Sequence, residues 1–323
     1  MLKPKYCRGG NEETRHCKES IKSASRAGID AESKAQTSST SRPMIKHILA
    51  CVDGSPRDRT VLDYASQIAL RFGGHIDVLH VRFDVHGKTR DKAHTGLADR
   101  MLAEPIESTV KDAAARARRH FEDWRAQCSL PVRDTGTAAH GPSIQWREIL
   151  GYESDVIANI GRISDLILIA REGSRSTSTM ARETALFETG RPVLIVPEGE
   201  PLNLFHRPLV AWNGSLESAR ALHFALPFLC EFSGCVEVFA APENKHQTDT
   251  TELLRYLSWH GIVGARIPAD EATGVSLLAQ ASAIKAGLIV MGAYTHGHYR
   301  QLLFGGMTRH VMEHAAVPVL FAH

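Results

Sequence analysis

Residues 49–55 read Leu-Ala-Cys-Val-Asp-Gly-Ser, and residues 209–215 read Leu-Val-Ala-Trp-Asn-Gly-Ser. Each stretch is an apolar run that ends in a Gly-Ser turn, which is typical of a buried strand followed by a helix. A shift of 160 residues also matches identical amino acids in the helix and strand that follow: Leu62 with Leu222, Ala65 with Ala225, Phe72 with Phe232, Gly74 with Gly234, and Val78 with Val238. The sequence therefore predicts a tandem duplication of one unit.

Each copy alternates apolar strands with stretches of helical spacing. Ile45–Val52 and Ile76–Val81 are apolar runs of strand length, and Val61–Phe72 between them has apolar residues at helical intervals. Continuously apolar strands that alternate with helices indicate a parallel sheet covered on both faces. We therefore expect an α/β fold with two tandem copies of a five-stranded parallel sheet flanked by helices, one at residues 44–198 and one at residues 205–323.

The remaining elements of the first copy follow the same alternation: a long helix from about Glu104 to Gln127, and strands at Pro131–Ala138, Leu166–Ala170 and Val193–Val196. The last strand of the second copy is predicted at Val319–Phe321. We expect the fifth strands of the two copies to pair, because pairing covers strand edges that would otherwise be exposed. Leu49 and Leu209 should then occupy equivalent places, whereas a single continuous sheet is expected to contradict the duplication.

The first 43 residues differ in composition from the rest of the chain. The stretch from Lys18 to Pro43 is rich in Ser, Ala, Lys and Thr, and Ile21 and Ile29 are its only large aliphatic residues. It has too little apolar surface to offset the entropy of ordering. We predict that residues 1–43 are a disordered extension, and we hypothesise that the functional protein begins at Met44.

Composition limits the classes of partner. The 323-residue chain has a formal net charge of +2, so there is no broad positive surface for nucleic acid. No apolar run reaches the roughly 18 residues of a membrane-spanning helix, and the N-terminal region lacks an apolar signal stretch. Six scattered cysteines form no Cys-x-x-Cys pair, which is typical of reduced thiols. We therefore predict a cytoplasmic protein with no nucleic-acid or membrane partner.

The turns after the first strand of each copy are candidate ligand contacts. Ligands of parallel α/β sheets bind outside the carboxyl ends of strands, which is where Asp53 and Asn213 are expected to lie. A second interpretation also stays open, because Asp or Asn followed by Gly makes such a turn without any ligand. Ser55 and Ser215, which follow, are expected to cap the next helix.

A glycine-rich stretch near the C-terminus is a second candidate site. Gly292 ends an apolar strand, and Gly305 and Gly306 come before a predicted helix. Free amides and the dipole at a helix start attract phosphate, and the Thr308 hydroxyl could add a donor. A flexible loop that binds nothing would have the same composition, so the pattern by itself leaves both interpretations open.

Ile48–Ser55, together with the C-terminal blocks Met291–Tyr294, Phe304–Val311 and Val317–Leu320, resembles the universal stress protein family in its tandem two-domain form. The resemblance covers about residues 44–323. It implies that each copy has the adenine-nucleotide alpha-hydrolase-like fold, and that the copies form an intramolecular pseudo-dimer that in some members pairs further into a homodimer. Some members of the family bind ATP and others do not. The resemblance therefore implies ATP as a candidate cofactor, and an adenine nucleotide or a protein as a candidate partner.

The ATP motif of the family is altered in the second copy. Its pattern is Gly-x2-Gly-x9-Gly-Ser/Thr with an Asp at the end of the first strand. Gly292 and Gly305 match the first and third glycines, whereas Thr295 replaces the second glycine, Gly306 replaces the hydroxyl residue and Asn213 replaces the Asp. The amides of the Gly305-Gly306 pair could still hold a phosphate.

The first copy keeps the acidic residue and lacks the loop. Asp53 matches the family's Asp, but no Gly-x9-Gly spacing follows the strand that ends at Ala170. Arg171 and Arg175 could hold an anion there, although such stretches are usually solvated loops. The resemblance therefore favours the second copy as the nucleotide-binding one.

Catalytic and metal motifs are not found. The sequence has no Gly-x-Ser-x-Gly elbow, His-Glu-x-x-His pair or P-loop lysine, so we assign no catalytic residue. His296, His298, His310 and His314 have no Cys or carboxylate in ligand register, so we predict no metal site. We expect three tryptophans to serve in packing: Trp124, Trp146 and Trp259.

These observations favour a non-catalytic stress-response module, in which a small ligand or partner binds at the strand ends and changes the stability or shape of the paired copies. The alternative is an ATP-binding, slowly hydrolysing stress protein that uses the loop of the second copy. A hydrolase or transferase on the same fold is a third interpretation.

Overall fold

A computed structural model describes residues 45–85, 97–133, 141–171, 178–240, 250–268, 273–293 and 306–323. Ten strands lie in these residues: β1 His47–Cys51, β2 His75–Phe83, β3 Ser143–Gly151, β4 Leu166–Ala170, β5 Val193–Val196, β6 Pro208–Trp212, β7 Val236–Ala240, β8 Gly264–Pro268, β9 Leu288–Gly292 and β10 Val319–Ala322. Eight helices lie in the same residues: α1 Asp58–Phe72, α2 Leu97–Arg125, α3 Glu153–Gly161, α4 Ser178–Glu188, α5 Leu216–Cys230, α6 Thr250–Trp259, α7 Gly274–Ala283 and α8 Gly306–His314.

The ten strands form one sheet in the order β3-β2-β1-β4-β5-β10-β9-β6-β7-β8. We call β1–β5 with α1–α4 the first half, and β6–β10 with α5–α8 the second half. Both halves have the same strand order and are parallel throughout, and the fifth strands β5 and β10 pair antiparallel. The predicted α/β fold and the pairing of the fifth strands are confirmed.

The duplication survives in the register of the strands. Leu49 of β1 pairs with Ile167 of β4, and Leu209 of β6 pairs with Ile289 of β9. Leu49 and Leu209 therefore occupy equivalent places, as predicted. The expectation that a continuous sheet would contradict the duplication is wrong, because two complete copies join edge to edge and each keeps its own strand order.

Helices cover both faces of the sheet. Apolar side chains that alternate along the strands divide into two cores, because successive residues of a strand point to opposite faces. One core packs against α1, α2, α5 and α6. The other packs against α3, α4, α7 and α8. This arrangement buries both faces of the central strands, which explains their continuously apolar sequences.

The third strand differs from the prediction. Pro131–Ala138 is not the strand beside β2; that place belongs to Ser143–Gly151, and Val132 makes an isolated bridge with Ile144. Residues 134–140 lie outside the described residues. The strand was missed because β3 is an edge strand with partly exposed polar side chains such as Arg147, so its sequence lacks a continuous apolar run.

Two further sequence predictions need correction. The long helix runs from Leu97 to Arg125 rather than from Glu104 to Gln127. Trp124 is buried as expected, but Trp259 is 77% exposed at the end of α6 and does not serve in packing.

In the part of the chain that the structure describes, no helix combines the length and apolar composition needed to span a bilayer. The predictions for residues 1–43 fall outside the described residues.

Candidate functional site

Two places in the sheet have the topology of a ligand site. In each half the chain leaves the central strand in one direction and returns on its other side, so β1 lies between β2 and β4, and β6 lies between β7 and β9. Ligands of open α/β sheets bind at the carboxyl ends of the strands flanking such a switch point. We call these the first ligand edge, at β1 and β4, and the second ligand edge, at β6 and β9. The two edges point in opposite directions, because β5 and β10 are antiparallel.

A buried carboxylate occupies the turn at the first ligand edge. Oδ1 of Asp58 accepts a hydrogen bond from the amide of Asp53, and Oδ2 accepts one from the amide of Gly54, both at 3.0 Å. Asp58 is only 2% exposed. The predicted capping role of Ser55 is wrong, because α1 starts at Asp58 and Ser55 Oγ instead accepts a hydrogen bond from Arg57.

Helix α2 packs over the same turn. Nδ1 of His120 lies 2.9 Å from Oδ2 of Asp58, and Nε of Arg116 donates to the carbonyl oxygen of Gly54 at 3.3 Å. The carbonyl oxygen of Ala113 comes so close that a Cβ on Gly54 would lie 2.5 Å from it, and Gly54 has a positive φ of 84°. Glycine is required here both for its conformation and for the close approach of the helix.

A narrow cleft opens beside this turn, between the ends of β1 and β4. It is lined by Cys51, Val52, Asp53, Arg57, Asp58, Glu153, Ile169, Ala170 and Ala181. Its cavity volume of about 20 Å³ is close to what one water molecule needs. Three of the nine lining side chains are carboxylates, so the cleft is small and acidic.

Burial shifts the protonation of two of these carboxyl groups. Burial raises the pKa of Glu153 to about 7, and the negative charge of Asp53 adds to the shift. Burial also raises the pKa of Asp58 to about 6, against the opposing effect of its hydrogen bonds with His120 and the Asp53 amide. The desolvated charged form is disfavoured in both cases.

The second ligand edge is built differently. The amide of Ser215 donates to Oδ1 of Asn213 at 3.1 Å, just as the Ser55 amide donates to Asp53 in the first half. Ser215 caps α5 by accepting a hydrogen bond from the amide of Ser218, which confirms the predicted cap. Ser218 stands at the position that Asp58 has in the first half, 160 residues away.

The glycines of the second half have different surroundings. A Cβ on Gly292 would lie 2.6 Å from the amide nitrogen of Ser218, so this glycine lets β9 approach the start of α5. Gly306 begins α8, where no atom of a described residue lies within 4 Å of its Cβ position, and Thr308 is buried in the first turn. Free amides at the start of a helix are able to bind an anion. Gly305 lies outside the described residues.

One buried donor lies on the last residue of β6. Nε1 of Trp212 is buried and has no hydrogen-bond partner among the described residues. An unpaired buried donor costs free energy.

The two edges differ in charge at two aligned positions. Asn213 replaces Asp53 and Ser218 replaces Asp58. The first turn therefore has two carboxyl groups where the aligned positions of the second have none, although Glu217 in the first turn of α5 lies beside Gly292 at the second ligand edge.

Other predicted candidates are engaged or lie outside the described part. The guanidinium of Arg171 donates to the carbonyl oxygen of Ala315 in the second half, so it contributes to the contact between the halves rather than facing an open anion site. Arg175, His296 and His298 lie outside the described residues. Within the described residues no group of three or more His, Cys, Asp or Glu side chains could hold a metal ion.

Sequence reasoning missed Asp58, His120 and Glu153. Asp58 and His120 are 62 residues apart in the chain, and no local motif links them. The alignment of the two copies could have drawn attention to Asp58, because the aligned position holds Ser218. A difference between the copies at the start of a helix beside a ligand edge indicates that the residue has a role in one copy only.

The fold agrees with comparisons to known proteins. The family model described as the universal stress protein family matches residues 44–181 and 236–323. Universal stress protein Slr1230 of Synechocystis sp. is 21% identical over 297 residues, covering 85% of this chain and 99% of that protein.

Two solved structures share the fold. A universal stress protein from Archaeoglobus fulgidus DSM 4304 has a TM-score of 0.60 at 19% identity, covering 85% of this chain and 97% of its own. A functionally unknown protein from Pseudomonas aeruginosa PAO1 has a TM-score of 0.51 at 15% identity, covering 86% of this chain and 92% of its own. With the family model matching most of the chain in two blocks, the protein belongs to the universal stress protein family, in a tandem form.

Proposed function

We propose that the protein is a non-catalytic stress-response module that binds a small ligand or a protein partner at a ligand edge. The observation that carries this proposal is the β5–β10 pairing, which joins the two edges through one sheet. A ligand bound at one edge stabilises the folded, paired state by mass action, and this stabilisation is the response that a partner would detect.

The loss of both aligned carboxylates from the turn of the second ligand edge supports a binding role rather than catalysis. Asn213 and Ser218 cannot act as a general acid or base there, unlike Asp53 and Asp58. Incubation with ATP and with a general phosphate ester, followed by measurement of released phosphate, tests this point. We expect no turnover above that of a heat-denatured control, and clear turnover would contradict the non-catalytic role.

A second candidate function is ATP binding with slow hydrolysis at the second ligand edge. It is favoured by the helix start at Gly306, where the described residues leave the Cβ position open. Gly292, Gly305, Gly306, Thr308 and Asn213 would be the residues that hold the nucleotide. Bound ATP would supply phosphates for these amides and hydroxyls to hold and an adenosine group beside β6.

Thermal melting with and without millimolar ATP and magnesium separates the two candidates. A ligand present at a hundred times its dissociation constant stabilises the folded state by about 2.7 kcal/mol. A rise in melting temperature that Gly305→Asp abolishes would support nucleotide binding. No rise would leave the non-nucleotide binding module, and native mass spectrometry of the purified protein would then identify any ligand that co-purifies.

The domain limits and the location in the cell are also proposals. We propose domains at residues 44–198 and 205–323, joined as an intramolecular pseudo-dimer, with residues 1–43 as an extension. Limited proteolysis should cut before residue 44 and leave the rest intact. We further propose a cytoplasmic protein, since Cys51 and Cys128 are reduced thiols.

A further inference from the structure

We propose that the first half is closed to ligands by its own residues, and that Asp58, His120 and Glu153 determine that only the second half binds. This inference rests on the proposed binding function and specifies which ligand edge performs it. Three independent features of the first ligand edge support it: the hydrogen bonding of its amides, the helix that covers it, and its charge and space.

The first feature is that an internal anion fills the turn. The amides of Asp53 and Gly54 point at one carboxylate, as successive amides in a turn do around a bound anion. A phosphate or carboxylate from a ligand would have to displace Asp58, which is almost fully buried. In the second half, no hydrogen-bond acceptor for the amides of Asn213 and Gly214 is found among the described residues.

The second feature is the helix that covers the turn. α2 is 29 residues long, and its His120 and Arg116 bind the turn while its backbone at Ala113 touches Gly54. The corresponding helix of the second half, α6, has ten residues. A ligand entering the first ligand edge would therefore have to break polar contacts that have no counterpart between α6 and the turn among the described residues of the second half.

The third feature is the combination of charge and space. Asp53, Asp58 and Glu153 line a cleft whose cavity volume of about 20 Å³ is close to what one water molecule needs. A phosphate-bearing ligand at the turn amides would meet the carboxylate of Asp58, and like charges repel strongly in a low-dielectric cleft. The aligned Ser218 of the second half is neutral, so this repulsion is missing there.

Hydrogen exchange measured by NMR tests the closure without any ligand. In the wild-type protein we expect the amides of Asp53 and Gly54 to exchange at least about tenfold more slowly than those of Asn213 and Gly214. Asp58→Ser, which copies the second half, should remove this protection. Asp58→Asn keeps the shape of the side chain and should remove part of the protection. This second variant keeps the test valid if the serine variant fails to fold.

Asp63→Asn is the matched control. Asp63 also lies on α1 and also binds α2, since its Oδ1 accepts a hydrogen bond from Nε1 of Trp124 at 2.7 Å. It does not touch the turn, so its loss should leave the Asp53 and Gly54 amides protected. Equal exchange at the two turns of the wild-type protein, or unchanged protection in both Asp58 variants, would overturn the proposal.

Calorimetry with ATP and magnesium tests which half binds. We expect one equivalent per chain. The variant Ser218→Asp, which gives the second ligand edge the carboxylate that fills the first turn, should weaken binding by at least about tenfold. The reverse variant, Asp58→Ser, should keep at least the wild-type affinity.

The possible outcomes distinguish failure of the proposed closure of the first half from failure of the proposed binding function. Two equivalents in the wild-type protein, or full binding in the variant with a charged second edge, would overturn the closure. If ATP does not bind at all, the nucleotide candidate fails, and the hydrogen-exchange result alone decides whether the first half is closed.

Discussion

Leu194 of β5 lies directly opposite Leu320 of β10, and neither side chain is exposed. They are the middle pair of the junction between the halves. We expect Leu194→Ala and Leu320→Ala each to lower the free energy of unfolding by about 2–5 kcal/mol, because each leaves a cavity in a close-packed core. Urea denaturation of the two variants measures this.

A double variant tests whether the two leucines act together. Residues in contact depart from additivity by about 0.5–3 kcal/mol. The control is Leu70→Ala on α1, where the side chain is 61% exposed, and its effect should stay within about 0.5 kcal/mol. Additive effects at Leu194 and Leu320 would argue against the β5–β10 pairing.

Glu153 should make stability depend on pH. In the folded protein its pKa is about 7, which is above the value in the unfolded chain. The free energy of unfolding is therefore undiminished below about pH 4, where Glu153 is protonated in both states. It falls as the pH rises through 7, because the buried side chain then has to carry a charge. Glu153→Gln removes this loss. We expect the variant to equal the wild-type protein near pH 4 and to exceed it by roughly 2–4 kcal/mol above pH 8.

Chemical denaturation across that pH range measures the difference between the two proteins. Glu188→Gln, at an exposed position on α4, is the control and should change stability little at any pH. A constant difference between Glu153→Gln and wild type from pH 4 to 8 would show that Glu153 is not desolvated.

Asp77 should make stability depend on pH in the opposite direction from Glu153, and at lower pH. Burial by itself raises its pKa, but hydrogen bonds from His47, His75 and Arg147 outweigh burial and hold the pKa well below its usual range. The stabilisation is thus present above about pH 4 and is lost as the pH falls further.

Asp77→Asn should destabilise the protein by about 1–3 kcal/mol at pH 6, because the partly exposed Arg147 then loses its charged hydrogen-bond acceptor. The gap between variant and wild type should narrow as the pH falls below 4. A gap that stays constant in acid would mean that the carboxylate charge does not contribute.

Two glycines of the second half should respond in opposite ways to alanine. Gly292→Ala places a methyl group against the backbone of α5, and we expect a loss of about 1–3 kcal/mol in thermal or urea unfolding. Gly306→Ala meets open space at the first position of α8, so it should cost nothing and could gain up to about 1 kcal/mol from helix propensity. Equal losses at both sites would contradict the close approach at Gly292.

The two aligned serines should differ as well. Ser215→Ala removes the acceptor for the Ser218 amide and should cost about 1 kcal/mol. Ser55→Ala should stay within about 0.5 kcal/mol, because Ser55 does not cap α1. A similar loss at both positions would show that the first turn is capped in the same way as the second.

Features that depend on short stretches of chain could be predicted from the sequence, and features that depend on contacts between distant residues could not. The duplication and the place of Asp53 and Asn213 at strand ends were readable because apolar periodicity and turn chemistry lie within short stretches of chain. The strand at Ser143–Gly151 was not readable, because an edge strand buries too little apolar surface to show a pattern. The role of Asp58 was hidden for a different reason, since its partner His120 comes from a helix 62 residues away.

By itself, the sequence determined that this protein consists of two copies of one α/β unit, each with a ligand edge. The reason is that the apolar periodicity of strands and helices is a property of short stretches of chain. Only the tertiary structure showed that the carboxylate of Asp58 accepts hydrogen bonds from the amides of the first turn. This arrangement depends on the packing of α2 against the β1–α1 turn and on where three carboxyl groups meet, and packing brings together residues whose spacing in the sequence has no regular pattern.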